Sequence, residues 1–416
     1  MKTPGNLKIL YLFLKMDKDK LEELEKIEQK EGTPVLVIDH AQIRKNYQEF
    51  RERFPRVQVY YAVKANSEKE IVKTLFDEGS SFDVASLPEF FLVLDVIKNL
   101  PPKEFENFIW DNIIYANPVK EPYSLHVLNK YRPLLTYDSI EEMEKITKHC
   151  PEAGVLLRIK ISDEGSVVKF SNKFGIDPNK AVDLIEKTIK AGLTVEGISF
   201  HAGSQCNNPL NFVKALESAA YVFKEADLRG LPIGESVSKP SHLTKILDIG
   251  GGFPVRYNGN EQSFEELAKI INKELERLFP VDEVDILAEP GRFLVANAGT
   301  EISSVILAKH SKTPVCYHLD SGVYQDFSSM IYDHAPIELK SFKDGEKSEC
   351  YVFGPTCDGL DTLSENEYIS IASKIFLPRL EEGDLVYAEN MGAYTNVSAT
   401  RFNGVDPAKV IHINME

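Results

Sequence analysis

The chain has 416 residues, 43% hydrophobic and 27% charged, with a formal net charge of -16 at pH 7. This composition is ordinary for a globular protein long enough for two domains, and the negative charge argues against a nucleic-acid partner. The sequence has no secretory signal pattern and no run long and apolar enough to span a membrane, so we expect no membrane partner. Five widely spaced cysteines without a Cys-x-x-Cys pair predict reduced thiols in a cytoplasmic protein and no metal site.

The first segment, residues 1–32, is predicted to be a helical extension. An apolar run at residues 9–14 leads into a Lys/Glu-rich stretch at 17–31, which Gly32 and Thr33 end. We expect this helix to pack on the C-terminal domain.

From residue 33 onward, short apolar runs alternate with amphipathic helical stretches. A rhythm of eight strands and helices over about 250 residues is typical of a (β/α)8 barrel, with a doubly wound open sheet as the alternative. We predict an α/β fold with this barrel at residues 33–283. Its predicted strands are residues 35–39, 57–63, 81–85, 112–115, 134–137, 155–161, 195–201 and 246–249.

The rhythm changes after Pro290, where strand-like runs follow one another with few helical stretches between them. This pattern predicts a second, β-rich domain at residues 284–416. Its predicted strands are residues 301–307, 315–319, 351–353, 385–388 and 410–413.

Lys64 ends the apolar run 59–63, which predicts a buried strand. An unpaired buried ammonium is costly, so its side chain either reaches solvent along its aliphatic stem or takes part in chemistry. The chemical alternative is a Schiff base with an aldehyde cofactor, because removal from water lowers the pKa of a lysine and frees its amine as a nucleophile. From Lys64 alone, both interpretations stay open.

Other chemically active side chains fall in predicted barrel strands, near whose ends the functional residues of a barrel collect. Asp83 lies in the third predicted strand, Arg158 in the sixth, and His201 ends the seventh. A lone histidine is more often a core residue, but His201 followed by Ser204 also suits stacking on a ring and binding an anion.

Two further motifs suit a phosphate. Gly250, Gly251 and Gly252 can bring backbone amides close to an anion, although a tight turn needs glycines equally. Glu289 and Arg292 flank a Pro-Gly turn. In a pyridoxal phosphate site the carboxylate would pair with the pyridine nitrogen and the arginine would bind the phosphate. The alternative is a salt bridge between the two side chains.

In the predicted β-rich domain, Cys357 and Asp358 place a thiol beside a carboxylate in a turn, which is also compatible with a purely structural role. Tyr332 and Asp333 supply a second carboxylate, and Tyr394 supplies a phenol. Two carboxylates without a cationic motif beside them suit the distal ammonium group of a substrate.

These motifs, in this order, closely resemble those of the ornithine decarboxylase family, a group of pyridoxal-phosphate enzymes with the alanine-racemase fold. The resemblance runs from about residue 33 to the C terminus. The motifs are Tyr-Ala-Val-Lys-Ala-Asn at 61–66, Phe-Asp-Val-Ala-Ser at 82–86, Ile-Tyr-Ala-Asn-Pro at 114–118, His-Ala-Gly-Ser-Gln at 201–205, the glycines at 250–252, Glu-Pro-Gly-Arg at 289–292, Tyr-Asp-His-Ala at 332–335, Gly-Pro-Thr-Cys-Asp at 354–358 and Gly-Ala-Tyr at 392–394.

The resemblance implies a barrel with a C-terminal β-domain, pyridoxal 5'-phosphate as the cofactor, and a head-to-tail homodimer with two active sites at its interface. It implies that Lys64 holds the cofactor, Glu289 faces the pyridine nitrogen and His201 stacks on the ring. The remaining cofactor-binding residues that it implies are Asp83, Arg158, Ser204, Gly250, Gly251, Gly252, Gly291, Arg292 and Tyr394.

The implied activity is decarboxylation of a basic amino acid, with Cys357 protonating the α-carbon. Cys357 and Asp358 would come from the partner subunit, and Tyr332 and Asp333 would also bind substrate. The paired acids favour L-ornithine, giving putrescine for polyamine biosynthesis, and then L-lysine, giving cadaverine. Diaminopimelate, arginine or a carboxylated polyamine are alternatives, as is an amino-acid racemase. An alternative of another class is an inactive regulatory homologue that resembles antizyme inhibitors. One segment, at 319–326, departs from the usual motif and adds an acid, Asp326.

Overall fold

The computed structural model describes residues 4–162, 164–234, 244–257, 261–281 and 283–416, with the side chains described from residue 18 onward. The chain forms two compact units. One is His40–Ala296, and the other combines Met1–Asp39 with Asn297–Glu416.

The strands of the described chain are β1 (Val35–Asp39), β2 (Val57–Ala62), β3 (Ser81–Val84), β4 (Ile113–Tyr115), β5 (Leu134–Tyr137), β6 (Gly154–Arg158), β7 (Ser166–Val168), β8 (Thr194–Ser199), β9 (Ser204–Cys206), β10 (Lys245–Asp248), β11 (Val284–Ala288), β12 (Gly299–Lys309), β13 (Val315–Leu319), β14 (Leu339–Ser341), β15 (Ser348–Phe353), β16 (Ile375–Leu377), β17 (Leu385–Glu389) and β18 (Lys409–Ile413).

Its α-helices are α1 (Pro4–Glu31), α2 (His40–Arg53), α3 (Lys69–Asp77), α4 (Leu87–Ile97), α5 (Pro102–Asn112), α6 (Pro122–Leu128), α7 (Ile140–His149), α8 (Pro178–Lys190), α9 (Pro209–Leu228), α10 (Phe264–Leu278), α11 (Arg292–Val295) and α12 (Ser329–Tyr332). None of these helices is both long and apolar enough to cross a lipid bilayer.

The first unit is a closed parallel barrel in the order β10-β11-β2-β3-β4-β5-β6-β8, which confirms the predicted (β/α)8 fold. Its strands are nearly continuous apolar runs because helices cover them outside and a packed core fills them inside. One strand needs a glycine: a Cβ at Gly197 of β8 would lie 1.9 Å from the carbonyl oxygen of Ile246 in β10. The core residues inside the barrel are Tyr60, Ile114, Ala116, Leu134, Leu156, Ile246 and Leu287.

The predicted barrel strand at 35–39 was wrong. β1 lies in the second unit, where it pairs antiparallel with β12 and parallel with β18. Its residues Val35–Ile38 are buried on both faces, and such a run is the same in a barrel and in a covered sheet, so periodicity could not tell them apart. The eighth barrel strand is instead β11, which the predicted boundary at 284 assigned to the β-rich domain. The boundaries are therefore corrected to 39/40 and 296/297.

The second unit is built on an eight-stranded sheet. Six strands follow the order β14-β17-β12-β13-β15-β16, and β1 joins β12 to β18. The first and last strands of the described chain are therefore neighbours in one sheet.

Helix α1 packs on this sheet through one face of its C-terminal half. Leu24 is 3% exposed and packs with Val35 of β1 and Ile302 of β12, and Leu21 and Ile27 contact the same cluster. A spacing of three residues places these side chains on one side of the helix.

Replacing Leu24 with Ala should lower the free energy of unfolding by about 2–5 kcal/mol, because it leaves a cavity between α1 and the sheet. Urea unfolding followed by circular dichroism measures the change. The control is Lys26→Ala on the exposed side of the same helix, with an expected change below about 0.5 kcal/mol. If Leu24→Ala were as stable as the control, the helix would not depend on this contact.

Candidate active site

Most of the predicted cofactor residues lie at the carboxyl ends of the barrel strands. Lys64 follows β2 in one turn of 3-10 helix, Asp83 lies in β3, and Arg158 ends β6. His201 follows β8, and Glu289 follows β11 directly. Because all strands of a parallel barrel point the same way, these groups meet at one face of the barrel.

Lys64 forms an ion pair at this face. Its Nζ lies 2.6 Å from Oδ2 of Asp83, and the side chains are 39% and 1% exposed, respectively. The second oxygen of Asp83, Oδ1, has no hydrogen-bond partner in the part of the chain that the structure describes. A lysine with a paired, half-buried amine matches the chemical interpretation of the sequence better than a side chain that extends into solvent.

His201 is held as a neutral ring. Its Nδ1 accepts a hydrogen bond from the backbone N–H of Gly203 at 3.0 Å, so Nε2 carries the ring proton. Burial lowers the pKa of His201 well below its usual range, and the positive charges of Arg158 and Lys64 lower it further. The imidazole also packs perpendicular to the ring of Phe170, with a centroid distance of 5.0 Å.

Glu289 and Asp248 form a buried pair of carboxyl groups. Burial raises the pKa of Glu289 well above its usual range, and the charges of Asp248 and Asp83 raise it further. Burial also raises the pKa of Asp248 to about 7, and the two side chains share a hydrogen bond. The pair therefore retains a proton at neutral pH. Oε1 of Glu289 is buried without a hydrogen-bond partner among the described residues.

The three glycines form a turn that no larger residue could replace. Gly250 and Gly252 have φ angles of +65° and +101°, which disfavour other side chains. A Cβ at Gly251 would lie 2.6 Å from the carbonyl oxygen of Glu289 and 3.1 Å from Nε2 of His201. The turn is therefore packed closely against both Glu289 and His201.

Arg292 completes an anion-binding group beside this turn. The side chain is 5% exposed, with Nη1 donating to the phenol oxygen of Tyr257 at 2.9 Å and Nη2 donating to Oγ of Ser204 at 3.0 Å. Gly291 precedes it where a Cβ would lie 2.9 Å from Cβ of Ala65. A guanidinium, two hydroxyl groups and a nearby glycine turn are donors that suit a phosphate.

These groups fit pyridoxal 5'-phosphate. Lys64 offers an amine for its aldehyde, and His201 offers a flat neutral ring. Glu289 offers a buried carboxyl oxygen for the ring nitrogen, and Arg292 with Ser204 offers donors for the phosphate.

Sequence analysis missed two of these residues. Asp248 carries a visible signal, since it is a charged residue that follows two apolar residues at the end of β10, two positions before the glycine turn. Its Oδ1 accepts a hydrogen bond from the backbone N–H of Gly250 at 2.8 Å. Tyr257 lies in an irregular segment and carries no comparable signal.

The remaining predicted site residues lie in the second unit. Cys357 is an exposed thiol, and Asp358 beside it shares a hydrogen bond with the hydroxyl of Tyr324. Their turn is held by Asp361, which is 2% exposed and accepts hydrogen bonds from the backbone N–H and hydroxyl of Thr356 at 2.9 and 2.7 Å.

The other two predicted positions differ in burial. Tyr332, at the end of α12, is 60% exposed, whereas the neighbouring Asp333 is 7% exposed. Tyr394 has a φ angle of +57°, an uncommon backbone conformation for a tyrosine that often marks a functional segment.

Asp326, the additional acid of the segment at 319–326, is fully buried. It accepts a hydrogen bond from the backbone N–H of Ala408 at 2.7 Å, and burial raises its pKa to about 6. Its carboxylate thus supports the fold of its own unit.

The carboxyl pair predicts a pH dependence of stability. The folded-state pKa of Asp248, about 7, lies above its ordinary value of 3.8, so the folded protein keeps a proton that the unfolded chain has released. The free energy of unfolding of the cofactor-free protein should therefore fall as pH rises from about 4 to about 7. Asp248→Asn should make this dependence shallower, because an asparagine can donate to an ionised Glu289.

Urea unfolding across this pH range measures the slope, with the exposed Asp344→Asn as the control expected to match the unsubstituted protein. Equal slopes for all three proteins would contradict a shared proton.

The chain is similar in sequence and in structure to known proteins. The sequence model for "Pyridoxal-dependent decarboxylase, pyridoxal binding domain" matches residues 40–296. The lysine/ornithine decarboxylase of Selenomonas ruminantium is 36% identical over 384 residues, covering 92% of this chain and 90% of that protein. Antizyme inhibitor 2 of Xenopus laevis is 34% identical over 395 residues, covering 90% and 79%.

A crystal structure of lysine/ornithine decarboxylase complexed with putrescine, from Vibrio vulnificus, has a TM-score of 0.83 and 33% identity, covering 96% of this chain and 99% of that one. The fold, the barrel motifs and these relatives agree, and the chain belongs to the pyridoxal-dependent decarboxylases, which act with pyridoxal 5'-phosphate.

Proposed function

We propose that the protein decarboxylates a basic amino acid, with L-ornithine as the preferred substrate, L-lysine as the second, and putrescine and carbon dioxide as the main products. The observation that carries the proposal is the exposed thiol of Cys357 next to the carboxylate of Asp358. The thiol can supply the proton that replaces the lost carboxylate, and the acid can bind a distal ammonium group. A racemase needs neither.

Within the barrel, each residue has a distinct task in this proposal. Lys64 binds the cofactor's aldehyde, and Asp83, at 2.6 Å, can take the proton that the ammonium must lose before it becomes a nucleophile. Arg292 and Ser204 bind the phosphate, with the glycine turn and Tyr394 as further contacts. Arg158 adds positive charge at the same face.

The carboxyl pair of Glu289 and Asp248 would control the proton at the cofactor's ring nitrogen. Bound pyridoxal 5'-phosphate supplies an electron sink that makes loss of carbon dioxide from the α-carbon possible. Because the pair retains a proton at neutral pH, Glu289 can hold that proton at its Oε1 or give it to the nitrogen. The uncharged His201 adds no positive charge that would compete with the ring for electrons.

The substrate preference rests on acidic residues. Asp333 and Asp358 would pair with the distal ammonium, with Tyr332 beside them. Lysine differs from ornithine by one methylene group, so the site discriminates between them only modestly. A distal carboxylate, as in diaminopimelate, would meet like charge and be disfavoured.

The proposal includes a homodimer in which the thiol turn of one copy completes the site of the other. This part rests on the resemblance to the family, and the exposure of Cys357 and Tyr332 supports it, because side chains that serve a second copy must be accessible to it. A cytoplasmic location also belongs to the proposal, and the five free thiols are compatible with it.

A regulatory homologue without activity is the second candidate, because antizyme inhibitor 2 of Xenopus laevis is 34% identical to this chain. That candidate predicts loss of cofactor-binding groups. The barrel described above keeps Lys64, Asp83, His201, Glu289 and Arg292, which favours the enzyme.

Separate incubation of the cofactor-loaded protein with ornithine, lysine, diaminopimelate and arginine tests the proposal, with mass spectrometry of the amine released. We expect putrescine to form about tenfold faster than cadaverine, from the worth of one methylene group in a fitted pocket. Lys64→Ala is the control and should release no amine. Cadaverine as the faster product would move the preference to lysine, and no amine from any substrate would support the regulatory candidate.

The shared site predicts complementation between two inactive variants. Lys64→Ala and Cys357→Ala should each form little putrescine, whereas a mixture that has exchanged subunits should regain about a quarter of its sites. Half of the dimers are then mixed, and each mixed dimer has one site with both residues intact. Recovery is measured as putrescine formed per milligram before and after subunit exchange. No recovery despite exchange would show that both residues act within one copy.

A further inference from the structure

The thiol of Cys357 has a hydrogen-bond partner that the proposed function leaves unused. Oδ1 of Asn403 lies 3.3 Å from Sγ of Cys357 and 3.2 Å from its backbone nitrogen. One side-chain oxygen thus contacts both the thiol and the backbone of the same residue.

The geometry fixes which atom of the Asn403 amide faces Cys357. A backbone N–H can only donate, so the amide atom that it meets must be the oxygen. The thiol contacts the same oxygen, so its S–H must donate as well. An acceptor at this position therefore fixes the direction of the S–H.

The backbone around Asn403 suits an asparagine. Its φ angle of +56° lies in the left-handed region, which asparagine tolerates better than most residues do. Arg401, two residues earlier, forms an ion pair with Asp406 at 3.0 Å, so the partner of its guanidinium is Asp406 and not the thiol turn. The conformation aims the short Asn403 side chain at the thiol turn.

The segment that carries Asn403 is anchored on Tyr324. The ring of Phe402 stacks on that of Tyr324 at 4.4 Å, and the backbone N–H of Thr400 donates to the Tyr324 carbonyl oxygen at 2.7 Å. The Tyr324 hydroxyl in turn shares a hydrogen bond with Asp358. One anchored segment therefore positions both members of the thiol turn.

We propose that Asn403 is a positioning residue that directs the S–H of Cys357. This inference rests on the proposed function, in which that proton goes to the α-carbon once carbon dioxide has left. If the thiol were misdirected, a proton from solvent would be added to the cofactor rather than to the α-carbon, and hydrolysis would give pyridoxamine 5'-phosphate and an aldehyde in place of the amine.

Two substitutions separate the role of the side chain from that of the turn. Asn403→Gly keeps the left-handed backbone without strain and removes the acceptor. Asn403→Asp keeps the shape and places a negative charge beside the sulfur. Asn414→Gly is the matched control, since Asn414 is also left-handed, with a φ angle of +54°, and its amide bonds Asp39 instead.

The first measurement is the rate at which iodoacetamide alkylates Cys357 as a function of pH, followed by mass spectrometry of the peptide. Asn403→Asp should move the profile to higher pH by about one unit, because a neighbouring negative charge opposes the thiolate. Asn403→Gly should change the alkylation rate several-fold across the profile, because the thiol is no longer held in one direction. The Asn414→Gly profile should match the unsubstituted protein. Unchanged profiles in both Asn403 variants would overturn the inference.

The second measurement is the fraction of turnovers that end in pyridoxamine 5'-phosphate. This fraction should rise about tenfold in Asn403→Gly, which corresponds to a change of about 1.4 kcal/mol in the difference between the two barriers. The KM for substrate should stay nearly unchanged. A lower rate without this change in products would mean a merely structural residue and would overturn the inference. Alkylation needs no turnover, so shifted profiles in a protein that decarboxylates nothing would reject the proposed function and keep the role of Asn403.

Discussion

The free-energy cost of removing charge from water constrains the ionisable side chains at the face of the barrel where its strands end. Lys64, Asp83, Arg158, Asp248 and Glu289 bring ionisable groups into a space where an isolated charge is strongly disfavoured. The barrel meets this constraint in two ways: Lys64 and Asp83 form an ion pair, and the two remaining carboxyl groups retain a proton between them. A cofactor that carries an aldehyde, a ring nitrogen and a phosphate can exchange charge with each of these groups, so the arrangement is organised around a ligand.

The sequence predicts those features of the fold and of the site that local patterns along the chain encode. The barrel followed from its rhythm, whereas the roles of Lys64, His201 and the glycine turn came from the resemblance to a family, since each motif alone also had a structural interpretation. Asp248 was visible as a charge in an apolar strand, but only the fold shows that it meets Glu289 from the neighbouring strand. Tyr257 and Asn403 act through tertiary contacts alone, which no local pattern encodes.

Assignment of strands failed for a related reason. β1 and a barrel strand are both buried on two faces, and burial on two faces erases the alternation that would tell the structures apart. The acid at Asp326 shows the same limit for function. It is the acid that the unusual segment at 319–326 adds, and the structure turns its carboxylate to the backbone of Ala408. Residues that lie close together in sequence therefore need not share a function.

The pairing of β1 between β12 and β18 has a consequence for how the protein is made. The barrel residues, His40–Ala296, are synthesised after β1 and before both of its partner strands, β12 and β18. The barrel can fold as an uninterrupted stretch during synthesis, but the sheet must wait for β12 and β18 while β1, with the apolar residues Val35–Ile38, lacks its partners. A chain that stalls before residue 409 would leave one long edge of β1 open to pairing with other chains.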